Sequence, residues 1–469
     1  MKIGLIVTLG TRDVAISRQV LEEKFGPEAI APLYYESNGK HSFLARQGGE
    51  FILKKFNQIQ GKLEFPILQP ALEWLFQKHE RIDTIVLVGT DQQAPHIGSR
   101  YKNNDTLFFA DVLKKLLPKR FHKKQDEFDI RIKLLGENVV YLDSMYSQVS
   151  EVIRVKPFTS LEQYGQVYLL NQGGIDAINT SLLLNGLNVY GKRLHLLSVN
   201  ESTRSCNPLR FPEKYLKEST KAKLESYLQT FNYPAIKQLE VNDDVKALSA
   251  YAEHRLNFDF ERAVFSASHL SQNSWKDRLI LETREIEEEE FELLREVYLN
   301  AKIKFEQEAY VDFLFRVFRI LEGLAKYYAC TKIGLNFNFY SWKKDIQNIL
   351  DKKDNEALKS FIEAYTLDKA GKVKLDLERI PTIPVWIALL EYYDENMASF
   401  LKKVRRLADL RNQSIGAHNF NPVSLQLIEQ TLEEENMDTS ILFEKLDQLF
   451  NPRTSFDQIN QWIKQLMEE

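Results

Sequence analysis

The feature that most constrains this chain is a change of periodicity near residue 205. Before it, short apolar and β-branched runs alternate with helical patterns. The runs are Ile3–Thr8, Ile30–Tyr35, Thr84–Val88, Ile130–Leu135, Val139–Leu142, Val167–Leu170 and Leu194–Val199, and the helical patterns include Pro70–Lys78, Leu107–Leu117 and Ile175–Leu184. Several runs are apolar without strict alternation, as expected where helices cover both faces of a parallel sheet. Strand–helix alternation of this kind predicts a doubly wound, Rossmann-like parallel sheet. After about Arg204 the strands are expected to stop. The rest reads as helices: Tyr215–Phe231, Ala235–Leu239, Val245–Ser266, Phe291–Glu308, Tyr310–Tyr328, Trp342–Leu350, Glu356–Tyr365, Val385–Asp394, Met397–Arg411 and Val423–Glu435. The expected fold class is α/β plus all-α. The acidic run Glu287 to Glu290 reads as a solvated helical face.

At 469 residues the chain has room for about three domains. Lys+Arg 62 against Asp+Glu 66 leaves a net charge of −4, so a nucleic-acid site has to be a local patch and not a global basic field. Cys206 and Cys330 are too far apart in sequence for a zinc cluster or a disulfide framework, which favours a reducing compartment. The opening Met1-Lys2-Ile3-Gly4-Leu5-Ile6-Val7 reads as a buried strand and not a signal peptide, and no stretch approaches the ~20 apolar residues of a membrane span. A cytoplasmic protein without a membrane partner is expected.

The segment richest in chemistry is Leu407-Ala408-Asp409-Leu410-Arg411-Asn412-Gln413-Ser414-Ile415-Gly416-Ala417-His418. Phe400, Val404, Leu407 and Ala408 mark the apolar face of a helix. Continuing their spacing reaches Arg411 and then His418, which would share a face about 10.5 Å apart if the helix continues. A guanidinium on the core stripe needs a compensating anion. That anion is either a protein carboxylate such as Asp409 or Glu322, or a substrate phosphate. A cation, a polar orienting group and an imidazole together supply what RNA cleavage without a metal needs. Lys402, Lys403, Arg405 and Arg406 either add charge suited to a polyanion or form a solvated face. No clustered His/Asp/Glu spacing suggests a metal site.

Three glycine-containing turns follow apolar runs near the N-terminus: Leu9-Gly10-Thr11-Arg12, Val88-Gly89-Thr90-Asp91-Gln92 and Leu170-Asn171-Gln172-Gly173-Gly174. At the carboxyl ends of parallel strands such turns expose backbone N–H groups to anions and nucleotides. Neither G-x-G-x-x-G in the first strand–turn–helix unit nor a P-loop occurs, which argues against a dinucleotide-dependent dehydrogenase and a P-loop NTPase.

Arg411-Asn412, five residues and then His418, in a helical setting, resembles the Arg–(four to six residues)–His motif of HEPN ribonucleases. Thr8-Leu9-Gly10-Thr11 and the Asn171-Gln172-Gly173-Gly174 unit resemble the CARF domain, a CRISPR-associated Rossmann fold. Together the chain resembles the CARF–HEPN ribonucleases of type III CRISPR systems. The organisation this implies is a CARF ligand-sensing domain over 1–205, a helical connector over 206–295 and a HEPN ribonuclease domain over 296–469. The resemblance further implies a homodimer whose paired CARF domains bind a cyclic oligoadenylate (tetra- or hexa-adenylate), activating single-stranded RNA cleavage by the paired HEPN domains. No cofactor, metal or DNA partner is implied. The residues carried over are Gly10, Thr11, Arg12, Gln92, Asn171, Gln172, Gly173 and Gly174 for ligand contact, and Arg411, Asn412 and His418 for catalysis, with 2′,3′-cyclic phosphate products. Two other readings stand beside it: a nucleotide sensor whose HEPN-like half only dimerises, and a ring nuclease acting on the cyclic oligoadenylate itself.

Overall fold

The computed structural model describes residues 1–37, 40–94, 97–125, 127–136, 138–271, 275–367, 373–375, 382–415, 419–451 and 454–468. The chain divides into two compact units, Met1–Ser219 and Thr220–Glu469.

The first unit is built on strands β1 (Ile3–Thr8), β2 (Tyr34–Ser37), β3 (Lys40–Phe43), β4 (Thr84–Thr90), β5 (Asp129–Leu135), β6 (Gln166–Leu170), β7 (Leu194–Asn200) and β8 (Ser205–Leu209). Six of them form one sheet in the order β5-β4-β1-β6-β7-β8, parallel except for the antiparallel edge strand β8. The central strand β1 is buried throughout, and its period of two divides it between two cores. Ile3, Leu5 and Val7 pack with the helices Arg18–Phe25, Ala45–Ile59, Leu68–Lys78 and Leu107–Phe121. Ile6 points the other way, into the core shared with the helices Leu142–Val152 and Asp176–Tyr190. Coverage on both faces explains why the strands read as continuous apolar runs.

Three sequence expectations need correction here. Ile30–Tyr35 is not one strand: Pro27 starts a helical turn, Ala31–Leu33 is a 3-10 turn, and only from Tyr34 does a strand begin, pairing with β3 as a hairpin. Val139–Leu142 is a turn that enters the helix Leu142–Val152, after Asn138 with its positive φ. The strands do not stop at Arg204, because β8 pairs with β7 and places Pro208 opposite Leu197. Proline is tolerated there because β8 is an edge strand.

The second unit is helical among the described residues apart from isolated bridges. The expected helix Val245–Ser266 is two, Asp243–Leu256 and Phe260–Ser268. They are separated at Asn257 and Phe258, the latter with φ +59°, and the second is capped by Asp259. The expected Met397–Arg411 likewise divides at Arg405 into Glu395–Val404 and Arg406–Gln413. The four acidic residues Glu287 to Glu290 straddle the junction of the helices Lys276–Glu288 and Glu290–Glu306 and are all exposed. One core gathers Tyr298, the helix Tyr310–Ile333, Trp386, Leu407 and Phe450. Another joins Leu224–Leu279 with Leu299, Ile303 and the final helix Phe456–Glu468. There Asn460 accepts a hydrogen bond from the Tyr233 hydroxyl at 2.9 Å and donates to the Leu228 carbonyl at 3.0 Å, and Trp462 stacks on Trp275. No helix among the described residues is long and apolar enough to cross a membrane.

Candidate functional site

In the second unit, Leu407 and Ala408 are buried and the next residue on their stripe, Arg411, is half-buried. Its guanidinium carbon lies 4.4 Å from the ring centre of Phe318 and 5.1 Å from that of Phe315, one helical turn apart on the helix Tyr310–Ile333. Nη1 donates to Asn412 Oδ1 at 3.0 Å, while Nε is buried without a hydrogen-bond partner. Neither Asp409 nor Glu322 compensates it. Glu322 pairs with Arg319, and among the described residues no carboxylate forms an ion pair with Arg411. Two aromatic faces attract a guanidinium by about 0.5–2 kcal/mol, but they do not neutralise its charge. The site therefore holds a partly desolvated cation with no carboxylate ion pair among the described residues, an electrostatic condition suited to gripping a phosphate.

The helix bearing Arg411 ends at Gln413, because Ser414 adopts an extended backbone and its hydroxyl caps the Arg411 carbonyl at 2.8 Å. The expected continuous helical face from Arg411 to His418 is thus interrupted, and His418 itself lies outside the described residues. On the described flanks, Asn419 N–H donates to the Ser414 carbonyl at 3.3 Å and Asn421 N–H to the Gln413 carbonyl at 3.0 Å. Ile415 and Phe420 are exposed beside this segment, at 70% and 84%. Of the four nearby basic residues, Lys402 pairs with Glu391 and Arg406 with Glu435. Lys403 and Arg405 have no ion pair among the described residues.

In the first unit, the carboxyl ends of three strands are laced together. Leu9 N–H donates to the Val88 carbonyl at 2.8 Å, and the Thr8 hydroxyl to the Gly173 carbonyl at 2.8 Å. Gly10 and Gly173 are required by this closeness. A Cβ on Gly10 would sit 2.5 Å from Gly174 N, and one on Gly173 would sit 2.6 Å from the Thr8 carbonyl and overlap Asp13 Oδ2. Gly174 has φ +76° at the entry to the helix Asp176–Tyr190.

The structure brings Gly10, Thr11, Arg12, Asn171, Gln172, Gly173 and Gly174 to one end of β1 and β6. Thr11 and Arg12 are exposed, and Arg12 pairs with Glu201 at 2.8 Å beside an open polar depression that Gln172, Asn200 and Asn207 also line. The Gln172 amide is fully engaged by the Val199 peptide, donating at 2.5 Å and accepting at 2.7 Å. It therefore extends the sheet by one rung. Asn171 donates to the Asn179 carbonyl at 3.3 Å. Gln92 is separate: it is 4% exposed, and both its peptide N–H and its amide donate to Asp105, which also pairs with Arg46.

Asp13 escaped the sequence reading. Fully buried, it accepts from Gly10 N–H at 2.6 Å and leaves Oδ1 without a partner, and burial pushes its carboxyl up to about 7. An Asp three residues after a turn glycine was the available signal, since such carboxylates often accept from turn N–H groups.

Residues 280–464 match the family model described as the Cas_Csm6 HEPN domain. No curated protein matches the chain. Among solved structures, Csm6 of Enterococcus italicus bound to cyclic hexa-2′-fluoro-hexa-dAMP is similar at TM-score 0.56 and 15% identity, covering 99% of this chain and 100% of that one. The helical unit thus matches a HEPN-domain model over residues 280–464, and with the Rossmann-like sheet before it the chain shares the overall fold of that Csm6 structure.

Proposed function

We propose that this chain is a CRISPR-associated endoribonuclease that cleaves single-stranded RNA, acts as a homodimer in the cytoplasm and is switched on by a cyclic oligoadenylate bound at its CARF domains. The observation that carries this is Arg411: a half-buried guanidinium on two phenylalanine rings, in a segment that matches a HEPN domain, with no carboxylate ion pair among the described residues. The reading in which the helical half only dimerises would be favoured by Arg411 locked in an internal salt bridge facing away from the dimer interface. Its lack of such a partner among the described residues favours catalysis.

The chemistry needs no group beyond the chain's own side chains and the RNA. Arg411 holds the non-bridging oxygens of the scissile phosphate, and Asn412, hydrogen-bonded to that guanidinium, fixes its direction. His418 takes the 2′-hydroxyl proton as O2′ forms a bond to phosphorus and the bond from phosphorus to O5′ breaks. A second imidazole, from the partner subunit's copy of the motif, gives a proton to the departing O5′. The products are a 2′,3′-cyclic phosphate and a 5′-hydroxyl. Exposed Ile415 and Phe420 suit burial between two copies beside the motif.

At the other unit, Thr11, Arg12, Gly173 and Gly174 offer peptide N–H groups and a guanidinium to the phosphates of the ring, while Gly10, its own N–H held by Asp13, allows the two turns to approach closely. Asn171 and Gln172 support the same turn from behind, and Gln92 has no place in the contact. The test uses a fluorogenic single-stranded RNA with cyclic tetra- and hexa-adenylate, with and without EDTA. Cleavage is expected only with one of the rings, and it should survive EDTA. His418→Ala should abolish cleavage while ring binding persists. Wild-type rates in that variant would overturn the assignment, and loss of the labelled ring without RNA cleavage would favour a ring nuclease.

A further inference from the structure

The helix Tyr310–Ile333 carries Phe315 and Phe318 beneath Arg411, and it ends at Gly334 in a left-handed cap. Phe318 and Ile333 are fifteen residues apart, so the end of this helix stands about 22 Å along its axis from the Arg411 site. There the chain makes a loop with an unusual division of labour. Phe337 packs against Trp386 at 5.9 Å under the Lys326 ammonium, and Trp342 packs on the same Trp386 at 5.1 Å. Between these anchors, Asn338 organises the turn: its side chain accepts from Tyr340 N–H at 2.9 Å, and its carbonyl accepts from Ser341 and Trp342 N–H. The result is that Phe339 and Tyr340 project into solvent, 74% and 95% exposed, with ring centres 5.5 Å apart. Leaving two large rings in water forgoes the burial that would stabilise the fold, so a partner with flat apolar faces is indicated.

We propose that Phe339 and Tyr340 form a stacking platform for the bases of single-stranded RNA, a second contact for the substrate at a distance from the cleavage site. This rests on the reading that RNA is what the HEPN domain cuts. The charge around the rings selects this occupant. Lys332 and Lys344 flank the rings in sequence, and the adjacent carboxylate, Asp345, is turned inward to accept from the Ser341 hydroxyl at 2.6 Å. Two copies of such a loop facing each other would repel, whereas a phosphate backbone is attracted. The apolar residues that suit a second copy, Ile415 and Phe420, flank the motif at the other end of the helix. Stacking on rings is tolerant of base identity, and a strand held at both places would be tethered for cutting without a sequence requirement imposed at the platform.

The experiment measures anisotropy of a labelled 2′-O-methyl strand, which lacks the attacking hydroxyl, on the full chain. Phe339→Ala combined with Tyr340→Ala should weaken binding by roughly 10- to 100-fold, as expected for two lost base–aromatic stacks. Phe339→Tyr with Tyr340→Phe should keep wild-type affinity. The alanine pair should also raise KM for a long RNA and leave kcat unchanged. Unaltered affinity in the alanine pair overturns the platform, as does unaltered affinity combined with loss of the dimer in sedimentation, which would assign the loop to a second copy. Binding is scored on a strand that cannot be cut, so the platform can fail while the nuclease reading stands, and the reverse.

Discussion

Arg411 rests its guanidinium 4.4 Å from the centre of the Phe318 ring, and that ring belongs to a helix almost a hundred residues earlier in the chain. Phe318 holds the cation in place without cancelling it, as a carboxylate would. Replacing Phe318 by Leu keeps most of the apolar volume and removes the π face. Cleavage should fall by about two- to thirty-fold, the range set by a cation–π contact. Ring affinity should stay the same, as read by titration with labelled cyclic oligoadenylate. Arg411→Lys should be nearly as damaging as Arg411→Ala, because an ammonium neither stacks on Phe315 and Phe318 nor presents a planar fork to phosphate.

Gly173→Ala should disable the ligand end of the sheet. Its new methyl would meet the Thr8 carbonyl, a backbone atom that cannot swing away, and would overlap Asp13 Oδ2. Overpacking of this kind costs about 1–3 kcal/mol. Circular dichroism should show a first unit that still folds but melts earlier, and calorimetric titration should show ring binding lost or greatly weakened.

Asp13 gives the first unit a pH dependence. Burial raises its carboxyl from 3.8 to about 7, so the folded chain holds this proton more tightly than the unfolded chain does. The resulting stabilisation is full below the unfolded value and is lost as pH rises through about 7. Asp13→Asn cannot titrate. The melting temperature of the wild type, measured relative to that variant, should therefore fall steadily between mildly acidic and neutral pH and level off above it. A difference that does not change with pH would contradict this account.

The second unit contains a buried ion pair whose removal should be severe. Arg255 and Glu296 are 2% and 1% exposed and meet through two hydrogen bonds, at 2.9 and 2.7 Å, with the Thr454 carbonyl as a third partner of the guanidinium. Glu296→Ala strands the charge of Arg255 and should cost about 3–5 kcal/mol in denaturant unfolding. Replacing both residues with leucine or methionine should cost far less, since the desolvation of two ions disappears with them.

Local pattern carried much of the architecture and little of the contact chemistry. Six residues, Ile3 to Thr8, were legible as a buried parallel strand because burial on both faces leaves an unbroken apolar run. β8 was not legible, because Pro208 and Asn207 look like loop residues and only the edge position makes them a strand. Arg411 stood out as a charge on an apolar stripe. Its support by Phe315 and Phe318 was hidden, since two segments that meet only after folding leave no shared period in sequence. Asp13 was missed for a similar reason: a carboxylate after a turn looks solvated until the sheet ends close over it. The engagement of the Gln172 amide by Val199 was likewise hidden, since that pairing is set by how β6 and β7 end beside each other.

The return of the final helix to Leu228, Tyr233 and Trp275 has a practical consequence for dissecting the protein. Segments more than two hundred residues apart complete a single interior, so the helical half is knotted together energetically although its chain is not. Cutting it into a linker piece and a nuclease piece would leave each with an uncovered greasy wall, and even a modest trim of the tail would open the floor beneath residues that lie nowhere near it in sequence.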